Sequence, residues 1–247
     1  PDPDVLSEVN QTIMFLISNV WKRINQAKDH PMQGVMKIPS HPSSSISKIS
    51  FGNTLCKYLF QRKGNWNQGY LRPSSWIGAE NYAYKRVAYF YKSLLLNLEE
   101  EWTKEDTKED KNWLRTNYSL IVITIVFNHM VSFYGGNDRF KRNWQTTGFV
   151  SLIDEFTDLL GKAILSPEYG FSNKAEKRNI LKAGNSTLRS DYARDLILHV
   201  KENGGIKFRE FAPFITEEDE GEYPSQKTKK RAERVENRLR ALIFYKM

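Results

Sequence analysis

The chain has 247 residues, with 37 Lys and Arg against 29 Asp and Glu and a formal net charge of +8. That length can bury a full core, as one large domain or two small ones. The 40% apolar and 13% aromatic content excludes general disorder, which needs low hydrophobicity.

Residues 4–27 repeat apolar side chains every three or four positions (Leu6, Val9, Ile13, Leu16/Ile17, Val20, Ile24), which predicts a helix with Asp4 as its N-cap. Pro31 stops that pattern. From His30 to Ser50 Pro and Ser dominate, so a loop or hairpin is expected, with Val35–Ile38 as one short strand. A second helix is expected over about 50–61, followed by a break at Arg62-Lys-Gly-Asn-Trp-Asn-Gln-Gly69.

Residues 77–102 give the clearest long helix, with Tyr84, Val87/Ala88, Phe90/Tyr91, Leu94/Leu95 and Leu98 on one broad face. A charged connector, 103–111, leads to an apolar helix over 113–133 ending at Gly135-Gly136. A further helix is expected over 146–165, closed by Ser166-Pro167. A helix pair follows at about 173–183 and 188–203, with Ser186 or Thr187 as cap of the second and Gly204-Gly205 after it. Glu217–Glu222 reads as an acidic loop and Ser225–Tyr245 as a final basic helix.

The fold class expected is mainly α: a multi-helix, bundle-like domain with at most a minor strand pair and a C-terminal basic helix. The division expected is a helical core over 1–165 and a helical extension over 166–247 carrying the acidic loop and basic helix.

The most apolar run, Leu120–Phe127, is far shorter than the ~20 residues that span a bilayer and reads as the centre of a buried helix. No secretory signal is visible, because Ile13–Val20 follows acidic residues and is broken by Ser18 and Asn19. The one cysteine, Cys56, leaves no intramolecular disulfide and no cysteine-based zinc site. Within Leu55–Leu59 it reads as a buried thiol, and the cytoplasm is the expected compartment, with no membrane partner. Pro1-Asp2-Pro3-Asp4 lacks an initiator Met, as a chain beginning inside a longer protein would; processing explains it equally well.

Chemistry-bearing motifs are scarce. The four histidines are His30, His41, His129 and His199, none in an HExxH pair or with metal-ligand spacing. His129 and His199 read as structural residues on core helices. No GxGxxG, GxxxxGK[ST] or GxSxG occurs. The double glycines follow helices, whereas phosphate cradles precede them. Glu99-Glu100-Glu101 reads as a solvated helix end. No catalytic residue, metal or cofactor is therefore expected.

The basic clusters carry more information. The last segment holds Lys227, Lys229, Lys230, Arg231, Arg234, Arg238, Arg240 and Lys246 against Glu233 and Glu236. On a helix, Lys227, Arg231, Arg234 and Arg238 form one stripe, with Val235, Leu239, Leu242 and Ile243 on another face. Such a stripe suits phosphate neutralisation without base readout; an ordinary solvated helix, balanced by Glu217–Glu222, is the plain alternative. Arg139, Lys141 and Arg142 lead to Trp144, as Arg62 and Lys63 lead to Trp66. Such rings can stack on bases or serve as core anchors, and the anchor is the preferred reading. Lys174, Lys177, Arg178 and Lys182 precede Arg189 and Arg194 in a helix–Gly–helix pair that is only loosely like a helix-turn-helix.

The order of elements in the first half carries a resemblance. A helix ends in Trp21-Lys-Arg-Ile-Asn25. Then come Asp29-His-Pro-Met-Gln-Gly-Val-Met-Lys-Ile38, Ile49-Ser-Phe and an apolar helix. Later Tyr84–Trp102 leads into Trp113-Leu-Arg-Thr-Asn117 and another apolar helix. Over roughly residues 5–135 this resembles the C-terminal half of DGQHR-domain proteins, the group that includes DndB-like proteins of bacterial DNA-modification and phage-defence systems. The eponymous Asp-Gly-Gln-His-Arg is absent, and the resemblance would place it in an N-terminal domain before Pro1. It implies a helical scaffold linked to DNA and antiviral defence, with no catalytic residue to carry over.

Three functional classes follow. The first is a DNA-associated module of that kind, gripping phosphates electrostatically. The second is a protein-interaction scaffold within a multi-subunit defence complex, meeting an acidic partner. An enzyme would need a carboxylate cluster or phosphate loop that the sequence does not display.

Overall fold

The computed structural model describes residues 3–37, 46–47, 76–105, 112–136, 143–167 and 186–208. Backbone contacts divide the chain into two units, Pro1–Pro213 and Phe214–Met247, and every described residue belongs to the first. The helices expected over 50–61, 173–183 and 225–245, and the acidic loop, lie outside the described residues.

Helix α1, Pro3–Gln26, buries Leu16, Ile17, Val20, Trp21 and Ile24, the spacing read from the sequence. Pro3 opens the helix, where its missing N–H costs no intrahelical bond. The chain then turns through Asp29 and Gly34, both at positive φ (61° and 69°). Gly34 N–H donates back to the carbonyl of Asn25 at 3.0 Å, folding the segment against the helix it has just left. Met36–Lys37 (β1) pairs with Ile46–Ser47 (β2). The pairing is parallel, Met36 with Ile46, so it is a minor strand pair but not a hairpin's antiparallel ladder.

The helix expected over 77–102 is two. Helix α2 spans Trp76–Asn97 and α3 spans Glu99–Thr103, with Leu98 (φ −117°, ψ 22°) between them. Leu98 and Trp102 are both buried across this break, so the apolar period runs through it unchanged. Helix α4, Asn117–Gly136, starts four residues later than expected. Trp113–Thr116 instead forms a cap: Ser119 N–H donates to Thr116 Oγ1 at 3.3 Å, and the Ser119 hydroxyl donates to the Trp113 carbonyl at 2.6 Å. Once started, α4 is buried nearly all round, from Leu120 through Ile123, Phe127 and Met130 to Tyr134. Truncating Phe127 would cost about 3–5 kcal/mol, as for other fully buried aromatics.

Helix α5, Phe149–Leu165, ends at Ser166 as expected. It runs parallel to α2: Tyr89 meets Asp154, Ser93 meets Thr157, and Asn97 lies against Gly161. Gly161 lets the two helices close, because an added Cβ would sit 3.3 Å from Asn97 Cβ. Helix α6, Ser186–Asn203, packs on both α4 and α5. It begins at Ser186, two residues before the expected start. Gly205, at φ 63°, ends it in the left-handed conformation glycine tolerates best. Among the described residues no helix is long and apolar enough to cross a membrane, and Leu120–Phe127 is core.

Candidate functional site

The residues expected to hold nucleic acid lie outside the described residues. These are Lys227, Lys229, Lys230, Arg231, Arg234, Arg238, Arg139, Lys141, Arg142, Lys177 and Arg178. Their neighbours are placed. Trp144 is 1% exposed and its ring stacks on Tyr134 at 6.2 Å, which makes it a core anchor with no face open to a base. Arg194 pairs with Asp191 at 3.7 Å, and Arg189 lies 5.7 Å from the Tyr118 ring. Both cations are thus engaged within the helical body. His129 is buried on α4 and His199 is half-buried on α6, while His41, Cys56 and Trp66 lie outside the described residues. Among the described residues no three His, Cys, Asp or Glu side chains gather as a metal site would require.

What the structure does assemble is a cleft of about 460 Å³ between the segment after α1 and the α2–α3 junction. Pro31, Val35, Leu95, Leu96 and Trp102 supply its apolar lining, and Asp29, Gln33, Glu99, Thr103 and Arg115 its polar lining. That size falls in the range of small-ligand and peptide-anchor sites. Leu96, 52% exposed, is one of the few large apolar side chains left open among the described residues.

The wall of this cleft is held from three directions. His30, itself buried, donates from Nε2 to the Ala88 carbonyl of α2 at 2.9 Å and accepts the Met32 N–H at Nδ1 at 3.1 Å. The bonds define a neutral imidazole with its proton on Nε2. Both ring nitrogens are committed, so His30 has no lone pair to offer as base or ligand. Desolvation holds its pKa below the ordinary histidine value; the bond to Ala88, next in size, pulls the other way, and the Lys92 ammonium adds a smaller lowering. Trp102 Nε1 donates to the Pro31 carbonyl at 3.0 Å, pinning the same segment to α3.

Asn112 supports the far side. Its Nδ2 shares two hydrogens among the carbonyls of Glu101, Trp102 and Lys104 at 2.9, 3.1 and 2.9 Å. Its Oδ1 accepts the N–H groups of Leu114 and Arg115. One buried amide thus ends α3 and starts the turn that brings Arg115 to the cleft.

Two further constellations carry no obvious mark in the sequence. Arg86, buried on α2, donates from Nη2 to the Trp144 carbonyl at 2.7 Å and lies over Tyr82, 3.4 Å from its centroid, with Phe149 at 4.8 Å. No ion pair joins it among the described residues; aromatic faces stand in for a carboxylate. Burial lowers its pKa, though a guanidinium remains charged. Asp154, on α5, accepts the Tyr89 hydroxyl at 2.9 Å and the Ser93 hydroxyl at 2.8 Å. Burial first and Asp154 second push the Tyr89 phenol up to about 12. Both groups pair residues about 60 positions apart, which no local spacing reveals.

No family model, no curated protein and no solved structure matches this chain.

Proposed function

We propose that this chain is a helical DNA-associated module, of the kind found in DGQHR-domain, DndB-like defence and DNA-modification proteins, that holds its partner by phosphate contacts. The observation that supports the reading is where the charge lies. Between Lys227 and Lys246 eight basic residues stand against only Glu233 and Glu236, so this segment supplies most of the net +8. The helical body compensates much of its own charge, as in Arg23–Glu80 at 3.2 Å and Lys162–Asp158 at 2.7 Å. A local surplus of cations is what neutralises phosphates and releases counterions from a nucleic acid.

Fluorescence anisotropy of a labelled duplex, titrated with the full chain, tests it. Six phosphate contacts give a slope of about −5 in log affinity against log salt. K229E/K230E/R234E should weaken binding regardless of sequence and flatten the slope by about 3. Absence of binding to duplex or single strand at about 50 mM salt, where such contacts are strongest, overturns the reading.

The cleft favours a second reading, a scaffold that meets a protein partner there. Its test is a purified complex whose affinity falls on L96D, in a chain that binds neither duplex nor single strand at about 50 mM salt.

A further inference from the structure

We propose that the segment Asp29–Val35 is an acid-released strap over the cleft, with His30 as its catch. The segment leaves α1 through two positive-φ residues, Asp29 and Gly34, so hinge-like backbone brackets it at both ends. Among the described residues the contacts that hold it include, within the segment, the Met32 N–H on His30 Nδ1. To the body they are His30 Nε2–H on Ala88, the Trp102 indole on Pro31, the Gly34 N–H on Asn25, the buried Met32 side chain and Val35 packed on the core.

Protonation attacks the first of these directly. In the imidazolium both ring nitrogens are donors, so Nδ1–H would point at the Met32 N–H that it now accepts. The charged ring also loses its water without gaining a counter-ion inside. From α2, Lys92 repels it. On the open side the charged groups lining the cleft are Asp29 of the segment itself, Glu99 of α3 and Arg115 of the turn before α4. The two carboxylates give the cation a destination outside its present seat. Protonation itself removes only the Met32 bond, since the imidazolium keeps its Nε2–H to Ala88; swinging out gives up that bond as well, against its pull, and uncovers Met32, Leu95 and Trp102. The lowered pKa has the matching sign: the closed strap is fully favoured above about pH 6.5, the ordinary histidine value, and loses that advantage as pH falls through the lower folded value.

Hydrogen exchange of the whole chain, resolved by NMR, decides the matter. The probes are the Met32 and Gly34 amides and the Trp102 indole N–H, read as protection factors so that the intrinsic pH dependence cancels. Between pH 7.5 and 5 their protection should fall by up to about tenfold per pH unit, the response to one proton. The α4 amides of Ile123 and Val126 should hold. In H30N, whose Oδ1 can accept the Met32 N–H but cannot titrate, the fall should vanish. Flat protection at the three probes, a fall shared equally by α4, or an unchanged fall in H30N would each overturn the strap. Should H30N fail to fold, the contrast between the strap and α4 in the native chain still decides.

Discussion

The guanidinium of Arg86 donates to the carbonyl oxygen of Trp144 across 58 residues of sequence, at 2.7 Å, inside a cage of aromatic rings. This bond joins α2 to the turn that launches α5, and it places a buried cation where apolar side chains would be expected. Truncating one member of such an arrangement leaves the other unsatisfied, which is where most of the cost lies.

Arg86→Ala should therefore destabilise the fold by about 3 kcal/mol or more, from an unpaired carbonyl plus the emptied space. Arg86→Lys keeps the charge but loses the planar stack on Tyr82, and should cost at least about 1 kcal/mol. Arg86→Met, which removes the charge and keeps the bulk, should fall between lysine and alanine. Urea unfolding of the three variants checks the order; lysine restoring full stability would show that charge alone matters.

Asn112 satisfies carbonyls at the end of α3 and amides at the next turn, so both halves of its amide matter. Asn112→Ala should cost about 2–3 kcal/mol, the usual penalty for stranding buried backbone groups. Asn112→Asp should be worse at neutral pH, because a carboxylate beside the carbonyls of Glu101, Trp102 and Lys104 can only repel them. That aspartate would have its pKa raised, so its defect should ease as pH drops. Chemical denaturation at pH 7 and pH 4.5 separates the two variants.

The cap at Thr116 is the local signal that places the start of α4. Thr116→Ala should cost about 1 kcal/mol, and Thr116→Ser or Thr116→Asp should recover most of it. Thermal unfolding by circular dichroism checks both, and equal loss in all three would remove the capping role.

These residues also show where sequence reading stops. Apolar spacing placed α1, α5 and the core half of α6, because each buries one stripe and leaves the other wet. It failed at Trp113–Thr116, where two apolar residues extend the helical period although Thr116 and Ser119 end it with hydroxyls. The Thr-x-x-Ser spacing was available as a signal. The break at Leu98 had none, since Leu98 and Trp102 suit the period on either side of it. The cleft had no mark in the sequence beyond the end of the helical pattern before Pro31. Its shape depends on Ala88 and Trp102, far along the chain. The same distance hides the parallel pairing of α2 with α5, which rests on Tyr89, Ser93, Asp154 and Thr157.

That pairing yields a test at alkaline pH. The Tyr89 phenol is raised to about 12 by burial and by the Asp154 carboxylate it bonds. A raised acid favours the protonated folded state: the stabilisation is whole below pH 10, the ordinary phenol value, and is lost as pH climbs through the folded value. Tyr91, Tyr134 and Tyr192 are also raised by burial and add to the same loss. Tyr89→Phe should therefore blunt, without abolishing, the decline in stability between about pH 10 and 12, while costing a little stability at pH 7 through the bonds it forfeits. Asp154→Asn should bring the Tyr89 phenol back toward its ordinary value. Tyrosinate absorbance near 295 nm, comparing Asp154→Asn with Tyr89→Phe, reads this directly; an identical titration in native chain and Asp154→Asn would mean that the carboxylate does not hold the phenol.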